Sequence, residues 1–240
     1  MPEQGLIVYP EAETHIKETL DKGCWTPTSL LGQNWKAELL DDAGSRFNVI
    51  QEGSIAGEVN WSQTGLHNVN NALATIAAAH HVGILPKDSI EALNQFEGVK
   101  RRMELISQAN DIHVYDDFAH HPTAIKSTLA GVKNSVQFKR IWAVIEPRSN
   151  TMRMGVHKQA LPTSVSDADH VIWFQPKGLD WQMEDVVDAC GEQACLFEDI
   201  EAIIAHLVKH VEPHDAVVLM SNGGFQGIHT KLAEALVHAK

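Results

Sequence analysis

Residues 112–122 read Ile-His-Val-Tyr-Asp-Asp-Phe-Ala-His-His-Pro, and this stretch decides the fold class. An apolar run typical of a buried strand is followed at once by polar residues, and Pro122 then marks the first turn of a helix. The same strand-to-helix pattern recurs to the end of the chain. Apolar strands that alternate with amphipathic helices form mostly parallel sheets, so the sequence predicts an α/β domain with helices on both faces of its sheet.

This pattern also places the remaining elements of the domain. Strands are predicted at residues 103–107, 112–115, 141–145, 170–174, 194–197 and 216–220. Helices are predicted at residues 122–132, 182–189, 199–210 and 227–238. Ligands of such sheets bind beyond the carboxyl ends of the strands, so the loops that follow the strands are the expected location of functional residues.

The first hundred residues have a different character. The predicted elements are a strand at 6–9, a helix at 13–22, a hairpin over 47–61, and helices at 67–82 and after Pro86. Residues 1–94 are too few and too mixed to complete a sheet of their own, so the chain is expected to begin inside a domain whose first half is absent. Residues 96–102 show no periodic pattern and are interpreted as a linker, which gives two predicted parts, 1–94 and 95–240.

Composition and charge exclude several classes of protein. Of the 240 residues, 44% are hydrophobic and 21% are charged, which is typical of a globular chain and excludes intrinsic disorder. The net charge of −12 argues against a nucleic-acid partner, since such binding needs a basic surface. No apolar run is long enough to span a membrane, the first residues do not resemble a signal peptide, and three sparse cysteines suit a reducing compartment, so a cytoplasmic protein is expected.

The first candidate site is the polar loop at residues 116–122. Asp116 and Asp117 could hold ribose hydroxyls or a metal ion, and His120 and His121 could meet an anion or relay a proton. Four ionisable groups within six residues at a ligand-binding edge favour a functional site over a solvated loop that caps the next helix. A metal-dependent hydrolase built on these four residues remains an alternative.

Two further motifs precede this loop. Residues 67–74 contain His67, Asn68 and Asn71 at the start of a predicted helix, where an amide could read the edge of a base or simply cap the helix. Residues 98–104 place three neighbouring cations between the two predicted parts. Guanidinium groups suit phosphate oxygens, although a solvated basic linker has the same composition.

Two loops follow later strands. Residues 146–151 read Glu-Pro-Arg-Ser-Asn-Thr and place Arg148 at the ligand edge of the sheet, where its guanidinium suits a carboxylate or a surface ion pair. Residues 221–227 read Ser-Asn-Gly-Gly-Phe-Gln-Gly and join a strand directly to the last helix, so that their N–H groups could face an anion. No phosphate-binding P-loop pattern occurs in the chain.

Taken in this order, the motifs resemble those of the Mur ligase family, whose members use ATP to join an amino acid or peptide to a UDP-muramyl precursor. The resemblance rests on residues 67–74, Arg102, 117–120, 146–152 and 221–225, and the last two strings are similar to members that attach a tripeptide. It covers essentially the whole chain and only the second half of the family's length. The implied fold is a Rossmann-like C-terminal domain preceded by the tail of a P-loop ATPase domain.

The resemblance also implies a role for each matched residue. The residues implied to bind ATP are His67, Asn68, Asn71, Arg102 and Asp117. The residues implied to be catalytic are Arg102, Asp117, His120 and His121. The tripeptide would be received by Arg148, Ser149, Asn150, Asn222, Gly223 and Gly224. Among these groups, Asn71 would contact the adenine, Arg102 the phosphates and Asp117 the ribose.

The implied reaction has two steps. ATP, with Mg²⁺ in the complete enzyme, phosphorylates the carboxylate of UDP-N-acetylmuramate, and the amino group of the tripeptide L-Ala-γ-D-Glu-meso-diaminopimelate then attacks the acyl-phosphate, in peptidoglycan recycling. Because the P-loop and the UDP-sugar domain lie outside this sequence, the chain is expected to be inactive alone and to hold no tightly bound cofactor. The alternatives are a non-catalytic module that binds a wall peptide, and a ligase that adds L-alanine to UDP-N-acetylmuramate.

Overall fold

The computed structural model describes residues 4–135, 137–176, 178–179 and 181–239. The chain divides into two compact units, residues 1–97 and 98–240. The sequence predicts a boundary between residues 94 and 95, and the assignment of the two parts to domains of the family stays a prediction. Within the described ranges, no helix is both long enough and apolar enough to cross a bilayer.

The N-terminal unit is built on a five-stranded sheet. Its strands are β1 (Ile7–Pro10), β2 (Thr28–Leu31), β3 (Trp35–Leu39), β4 (Arg46–Gln51) and β5 (Ser54–Asn60). Its helices are α1 (Thr14–Leu20), α2 (Leu66–His81) and α3 (Pro86–Asn94). The strands lie side by side in chain order, with β1, β2 and β3 parallel and β3, β4 and β5 antiparallel.

The core of this unit lies between the hairpin β4–β5 and helix α2. Strand alternation turns Phe47, Val49 and Val59 to one face of the sheet, and all three are buried. Leu73 and Ile76 meet them from α2, as the helical spacing of apolar residues predicts. The predicted hairpin and the two predicted helices that follow it are therefore confirmed.

The prediction that residues 1–94 could not complete a sheet is wrong, because five strands within this range form one. The sequence prediction lacks β2 and β3, which have four and five residues. Leu31 is buried near the end of β2 and Trp35 at the start of β3, and the turn between them is short. In strands of this length, an alternation with a period of two residues does not stand out from the background.

The C-terminal unit is built on a six-stranded sheet. Its strands are β6 (Glu104–Ala109), β7 (Ile112–Asp117), β8 (Ile141–Ile145), β9 (His170–Phe174), β10 (Ala194–Phe197) and β11 (Ala216–Met220). Its helices are α4 (Pro122–Asn134), α5 (Asn150–Arg153), α6 (Leu161–Ser164), α7 (Glu184–Cys190), α8 (Ile200–His210) and α9 (Ile228–His238). The strand order is β10-β9-β8-β11-β7-β6, in which β6 pairs antiparallel with β7 and the other pairs are parallel.

Helices cover both faces of this sheet, as the alternation along β11 shows. Val218 and Met220 face a buried cluster that includes α4 and α7, whereas Val217 and Leu219 face a second cluster that includes α8 and α9. The predicted α/β fold class is therefore confirmed, and a strand is present at each of the six predicted places. The sequence prediction lacks α5 and α6, since four residues make little more than one helical turn and show no period.

Three central parallel strands end side by side and present their loops at one edge of the sheet. Asp117 at the end of β7 pairs in register with Met220 of β11, and Met220 pairs with Ile145 of β8. The residues just before β6 reach the same place, because the N–H of Met103 contacts Asp117. We call this region, residues 101–103, 116–121, 146–149 and 221–224, the carboxyl edge.

Candidate functional site

Two adjacent carboxylates end β7 and point to opposite faces of the sheet. The sequence predicts a strand that stops at residue 115, whereas β7 continues through Asp117. Because successive side chains of a strand alternate between faces, Asp116 turns towards α9 and contacts His229, while Asp117 turns towards α4 and contacts Thr128. The two carboxylates therefore do not converge on one ligand.

Asp117 is held by the protein's own backbone. Its Oδ1 accepts hydrogen bonds from the N–H of Ala119 at 2.8 Å and the hydroxyl of Thr128 at 3.3 Å, and its Oδ2 accepts one from the N–H of Met103 at 2.9 Å. Burial raises the pKa of Asp117, while these hydrogen bonds and the charge of Arg102 act in the opposite direction. The carboxylate joins the start of β6 to the loop after β7, and its role towards a ribose stays a prediction.

Arg101 connects three segments of the carboxyl edge. Its Nε donates to Oδ2 of Asp116 at 3.0 Å, and its Nη2 donates to the carbonyl oxygens of Ser221 at 2.8 Å and Gly223 at 2.7 Å. The other carboxylate oxygen of Asp116 lies 3.1 Å from Nε2 of His229 on α9. One guanidinium therefore links the segment before β6, the end of β7 and the loop after β11.

The neighbouring arginine has a different environment. The guanidinium carbons of Arg101 and Arg102 lie 5.5 and 5.3 Å from the centroid of the Phe118 ring, a cation–π arrangement. Arg102 is exposed, whereas Arg101 is partly buried among its hydrogen-bond partners. The sequence-predicted phosphate ligand, Arg102, is thus the arginine that the surface presents to solvent.

The two histidines of the loop after β7 are fixed in different ways. His121 lies at the N-cap of α4, and its Nδ1 accepts a hydrogen bond from the N–H of Thr123 at 3.3 Å, so a neutral His121 carries its proton on Nε2. The Nδ1 of His120 lies 2.9 Å from the carbonyl oxygen of Phe118, to which it donates, so Nε2 of the neutral ring is an acceptor. Burial, followed by the neighbouring His157 and His120, lowers the pKa of His121.

A buried pair joins the loops after β8 and β11. The hydroxyl of Ser221 donates to Oε2 of Glu146 at 2.5 Å, and its oxygen accepts the N–H of Gly223 at 2.9 Å. Both Glu146 and Ser221 are buried. The N–H of Gly223 is therefore used inside the loop, and the expectation that other N–H groups of residues 221–227 face an anion stays a prediction.

The same loop contains a short turn before the last helix. Helix α9 begins at Ile228, and a 3₁₀ turn, Phe225–Gly227, precedes it. Phe225 is fully buried, and its ring centroid lies 5.6 Å from that of Phe174. Packing of this ring draws the chain inward before the helix begins, and the predicted helix at residues 227–238 is confirmed to within one residue.

Arg148 lies directly on the backbone of Gly223. A Cβ at position 223 would stand 1.8 Å from Nη1 of Arg148 and 2.5 Å from its Cζ, so any side chain there requires the Arg148 guanidinium to move. Arg148 is exposed, and its backbone N–H donates to the carbonyl oxygen of Glu146 at 2.9 Å. The structure thus brings together the two loops that the sequence predicts to receive the tripeptide.

The other residues predicted to receive the tripeptide lie in the same two loops. Ser149 caps α5, where its hydroxyl oxygen accepts the N–H of Met152 at 3.4 Å, and Asn150 is exposed at the start of that helix. The Oδ1 atom of Asn222 is buried and has no hydrogen-bond partner within the described residues. Gly224 is exposed, with open space where a Cβ would stand. Their roles stay predictions.

The predicted adenine-binding residues lie on α2 of the N-terminal unit. The prediction that Asn68 caps this helix is wrong, because α2 begins at Leu66 and its N-cap is Gly65, whose φ of 92° suits glycine. Asn68 lies within the first turn instead, and its side-chain amide donates to the carbonyl oxygen of Thr64 at 2.8 Å. His67 and Asn71 are exposed on the same helix, and their roles towards a nucleotide stay predictions.

The hydrolase alternative finds no ligand set in the described part of the chain. Among these residues, no three His, Cys, Asp or Glu side chains come together as a metal site. The oxygens of Asp116 contact Arg101 and His229, and those of Asp117 accept hydrogen bonds from the backbone and from Thr128.

Sequence reasoning missed several groups that organise the edge. In the sequence, Arg101 is only one of three neighbouring cations, and Glu146 and Ser221 are only members of two loop strings. His229 was not noticed, because it lies more than a hundred residues from its partner Asp116. An acidic residue at the very end of an apolar strand is a usable signal, since a buried carboxylate at that position requires a cation or donor from elsewhere in the chain.

The fold and its carboxyl edge define a class of protein, and comparison with known proteins gives the family. A mostly parallel sheet covered by helices on both faces, with Arg102, Arg148 and His121 exposed beyond its strand ends, defines a doubly wound α/β domain, a class that binds ligands at this edge. Residues 101–223 match the family described as Mur ligase, glutamate ligase domain, and the match covers half of the chain. The chain therefore belongs to the Mur ligase family.

Individual relatives are similar along nearly all of the chain. The UDP-N-acetylmuramate--L-alanyl-gamma-D-glutamyl-meso-2,6-diaminoheptandioate ligase of Escherichia coli (strain K12) is 45% identical over 239 residues, which are 98% of this chain and 52% of that protein. The UDP-N-acetylmuramate--L-alanine ligase of Desulfitobacterium hafniense (strain Y51) is 31% identical over 216 residues, which are 82% of this chain and 47% of that protein. The chain spans about half the length of the curated relatives it matches.

A solved structure shows the same similarity. The crystal structure of a murein peptide ligase from Psychrobacter arcticus 273-4 matches with a TM-score of 0.74 at 45% sequence identity. The match covers 99% of this chain and 52% of that chain. The resemblance to the Mur ligase family is confirmed, and it extends over both units.

Proposed function

We propose that this chain is the C-terminal half of an ATP-dependent ligase that joins the tripeptide L-Ala-γ-D-Glu-meso-diaminopimelate to UDP-N-acetylmuramate, in peptidoglycan recycling. The observation that carries the proposal is the 45% identity to the Escherichia coli ligase over 98% of the chain. The identity to the alanine ligase is 31% over 82% of the chain, which favours the tripeptide over L-alanine as the acceptor.

The tripeptide is proposed to bind at Arg148 and the neighbouring loop. Its diaminopimelate end carries carboxylates, which a guanidinium binds through two parallel hydrogen bonds. Arg148 is exposed, and its guanidinium lies beside Gly223 at the carboxyl edge. The buried Oδ1 of Asn222 could accept an N–H of the peptide, since it has no partner within the described residues.

Each unit, taken by itself, presents a residue that is proposed to contact the nucleotide. Arg102 is exposed and carries a permanent charge suited to phosphate oxygens, and Asn71 is exposed on α2, where its amide could meet the adenine. ATP would supply the phosphoryl group that activates the muramate carboxylate. Among the described residues, no three His, Cys, Asp or Glu side chains come together as ligands for a cation such as Mg²⁺.

His120 and His121 offer one acceptor and one donor for the second step of the reaction, in which the amine attacks the acyl-phosphate. The Nε2 of a neutral His120 is free of the backbone contact made by Nδ1, so it could take a proton from the attacking amine. A neutral His121 presents an N–H at Nε2, which could donate to an oxygen of the acyl-phosphate. The lowered pKa of His121 favours this neutral form at pH 7.

A chimaera tests the proposal. This chain would replace the matching C-terminal half of the Escherichia coli relative, and ADP release would be measured with ATP, UDP-N-acetylmuramate and either the tripeptide or L-alanine. We expect turnover that requires all three substrates with the tripeptide, and no turnover by the isolated chain.

The other outcomes each contradict part of this assignment. Turnover with L-alanine in place of the tripeptide would identify an alanine ligase. A folded chimaera without turnover, together with tripeptide binding to the isolated chain by calorimetry, would favour a wall-peptide-binding module.

A further inference from the structure

Arg101 is the structural centre of the carboxyl edge, although its neighbour is the predicted phosphate ligand. Its guanidinium donates to Asp116 and to the carbonyl oxygens of Ser221 and Gly223. The side chains of Arg101 and Asp116 are 32% and 10% exposed, so the ion pair is largely shielded from water. These contacts use the side chain within the protein.

We propose that Arg101 is a positioning residue that sets the loop at 221–224 and, through it, the orientation of Arg148 towards the tripeptide. The proposal rests on the proposed function for its ligand and on geometry for its mechanism. It assigns Arg101 to the peptide half of the reaction, whereas Arg102 is assigned to the nucleotide.

The backbone carbonyl groups of the loop at 221–224 need hydrogen-bond donors. The carbonyl oxygens of Ser221 and Gly223 both point at one guanidinium nitrogen, Nη2 of Arg101. Ser221 is fully buried, so its carbonyl has limited access to water as a replacement donor. Removal of the guanidinium would leave both carbonyls without these hydrogen bonds, and the loop would rearrange to satisfy them.

The loop at 221–224 is connected to Arg148 through Gly223. The Ser221 hydroxyl lies between Glu146 and the N–H of Gly223, so the turn at 221–223 is fixed relative to β8. The Arg148 side chain then rests on Gly223 at a distance that excludes a Cβ. A shift of Gly223 by one ångström would move the surface on which the Arg148 guanidinium lies, and errors of this size in positioning groups reduce turnover strongly.

Position 101 requires arginine and not lysine. Its planar fork donates through Nε to Asp116 and through Nη2 to the loop, two directions that the single ammonium of a lysine cannot reproduce. His229 contacts the opposite oxygen of Asp116 and so helps to fix the carboxylate that orients the fork. The group therefore extends from α9 through β7 to the loop after β11.

The test compares Arg101→Lys with Arg140→Lys in the chimaera. Arg140 is a matched control, since it also donates through Nε and Nη2 to a buried aspartate, Asp215, and to a backbone carbonyl, at the opposite end of the same sheet. We expect Arg101→Lys to raise KM for the tripeptide at least tenfold and to leave KM for ATP within twofold. Arg140→Lys should leave both KM values unchanged in the folded protein.

Amide exchange in the isolated chain supplies a readout that does not depend on activity. We expect Arg101→Lys to speed exchange at Gly223, whose N–H is bonded to Ser221, while Arg140→Lys leaves it unchanged. A larger rise in KM for ATP than for the tripeptide, or unchanged exchange at Gly223, would overturn the proposal. If the parent chimaera is inactive, the proposed function fails, and the exchange experiment still decides whether Arg101 positions the loop.

Discussion

Two ends of one sheet carry the same kind of ion pair and use it differently. At the amino ends of the central strands, which we call the amino edge, Arg140 donates to both oxygens of Asp215. Asp215 also accepts the indole N–H of Trp142 and the backbone N–H of Glu212. At the carboxyl edge, Arg101 gives only one hydrogen bond to Asp116 and directs its other donor to the loop after β11.

The difference separates a structural network from one that supports a site. Arg140, Trp142 and Glu212 all donate to the carboxylate of Asp215, which is fully buried, so that network stabilises the start of the strands. The Arg101 network instead shapes a loop and leaves Arg102 and Arg148 exposed beside it. Substitutions at the amino edge should therefore change stability, and substitutions at the carboxyl edge should change turnover.

The largest expected effect is on stability, at Asp215. Asp215→Ala removes the partner of a largely buried arginine, and breaking such a pair costs about 3–5 kcal/mol. Urea denaturation of the chain followed by tryptophan fluorescence measures the change. A loss below about 1 kcal/mol would show that the network does not stabilise the amino edge.

The next effect is on turnover, at Gly223. In the chimaera, Gly223→Ala places a Cβ where Arg148 lies, and we expect kcat/KM for the tripeptide to fall by about 100-fold. Gly224→Ala is the control, because nothing lies within 4 Å of a Cβ at that position. Equal losses in the two variants would mean that the contact between Arg148 and Gly223 does not shape the site.

A smaller effect is expected on the pH dependence of stability, through the histidines of the amino edge. The His170 ring stacks on Trp142 with centroids 4.0 Å apart, and the His206 and His210 rings lie 4.3 Å apart. Burial, followed by neighbouring cationic groups, lowers the pKa of His206 from its usual 6.5, and burial is also the first cause for His170. Of the charges around His170, Arg140 lowers the pKa, while Asp169 and Asp215 raise it.

The sign of the pH dependence follows from these lowered values. A histidine that is harder to protonate in the folded state contributes stability above pH 6.5, and this contribution is lost as the pH falls through the folded pKa. We expect His206→Gln to lose less stability than the parent chain between pH 7.5 and 5.5 in urea denaturation. His238→Gln, at the exposed end of α9, is the control variant, and an equal change in both variants would contradict the assignment to His206.

The smallest expected effect is on stability, at an exposed ion pair outside both edges. Lys231 on α9 and Glu201 on α8 form an exposed ion pair with a separation of 2.6 Å. Lys231→Gln should cost about 0.2–1 kcal/mol in urea denaturation, because exposed pairs gain little over their hydrated forms. A cost comparable with that of Asp215→Ala would remove the distinction between buried and exposed pairs on which the comparison depends.

The sequence predicted the C-terminal sheet far better than the N-terminal one. Strands such as β8 and β11 are apolar throughout and buried on both faces, so each stands out as a continuous run between polar loops. Strands β2 and β3 are short and partly exposed, so neither forms a continuous apolar run. The first kind of strand is readable from local composition, whereas the second is not.

The sequence predicted the location of the candidate site better than the contacts between its side chains. The strand ends correctly located Asp117, Arg148 and the loop at 221–224 at one edge of the sheet. The pairing of Arg101 with Asp116 and of His229 with the same carboxylate depends on side-chain direction, which strand alternation and helix packing determine only once the fold exists. Residue types alone do not distinguish Arg101 from Arg102.

The contact between Arg148 and Gly223 also limits how these two positions can evolve. The guanidinium occupies the place where a side chain at position 223 would begin, so a change at one position alters which residues are acceptable at the other. Replacement of the glycine displaces the guanidinium of an arginine at 148, whereas it displaces nothing once position 148 carries a shorter residue. In a library randomised at both codons, we expect surviving variants with a side chain at 223 to carry a shorter residue at 148.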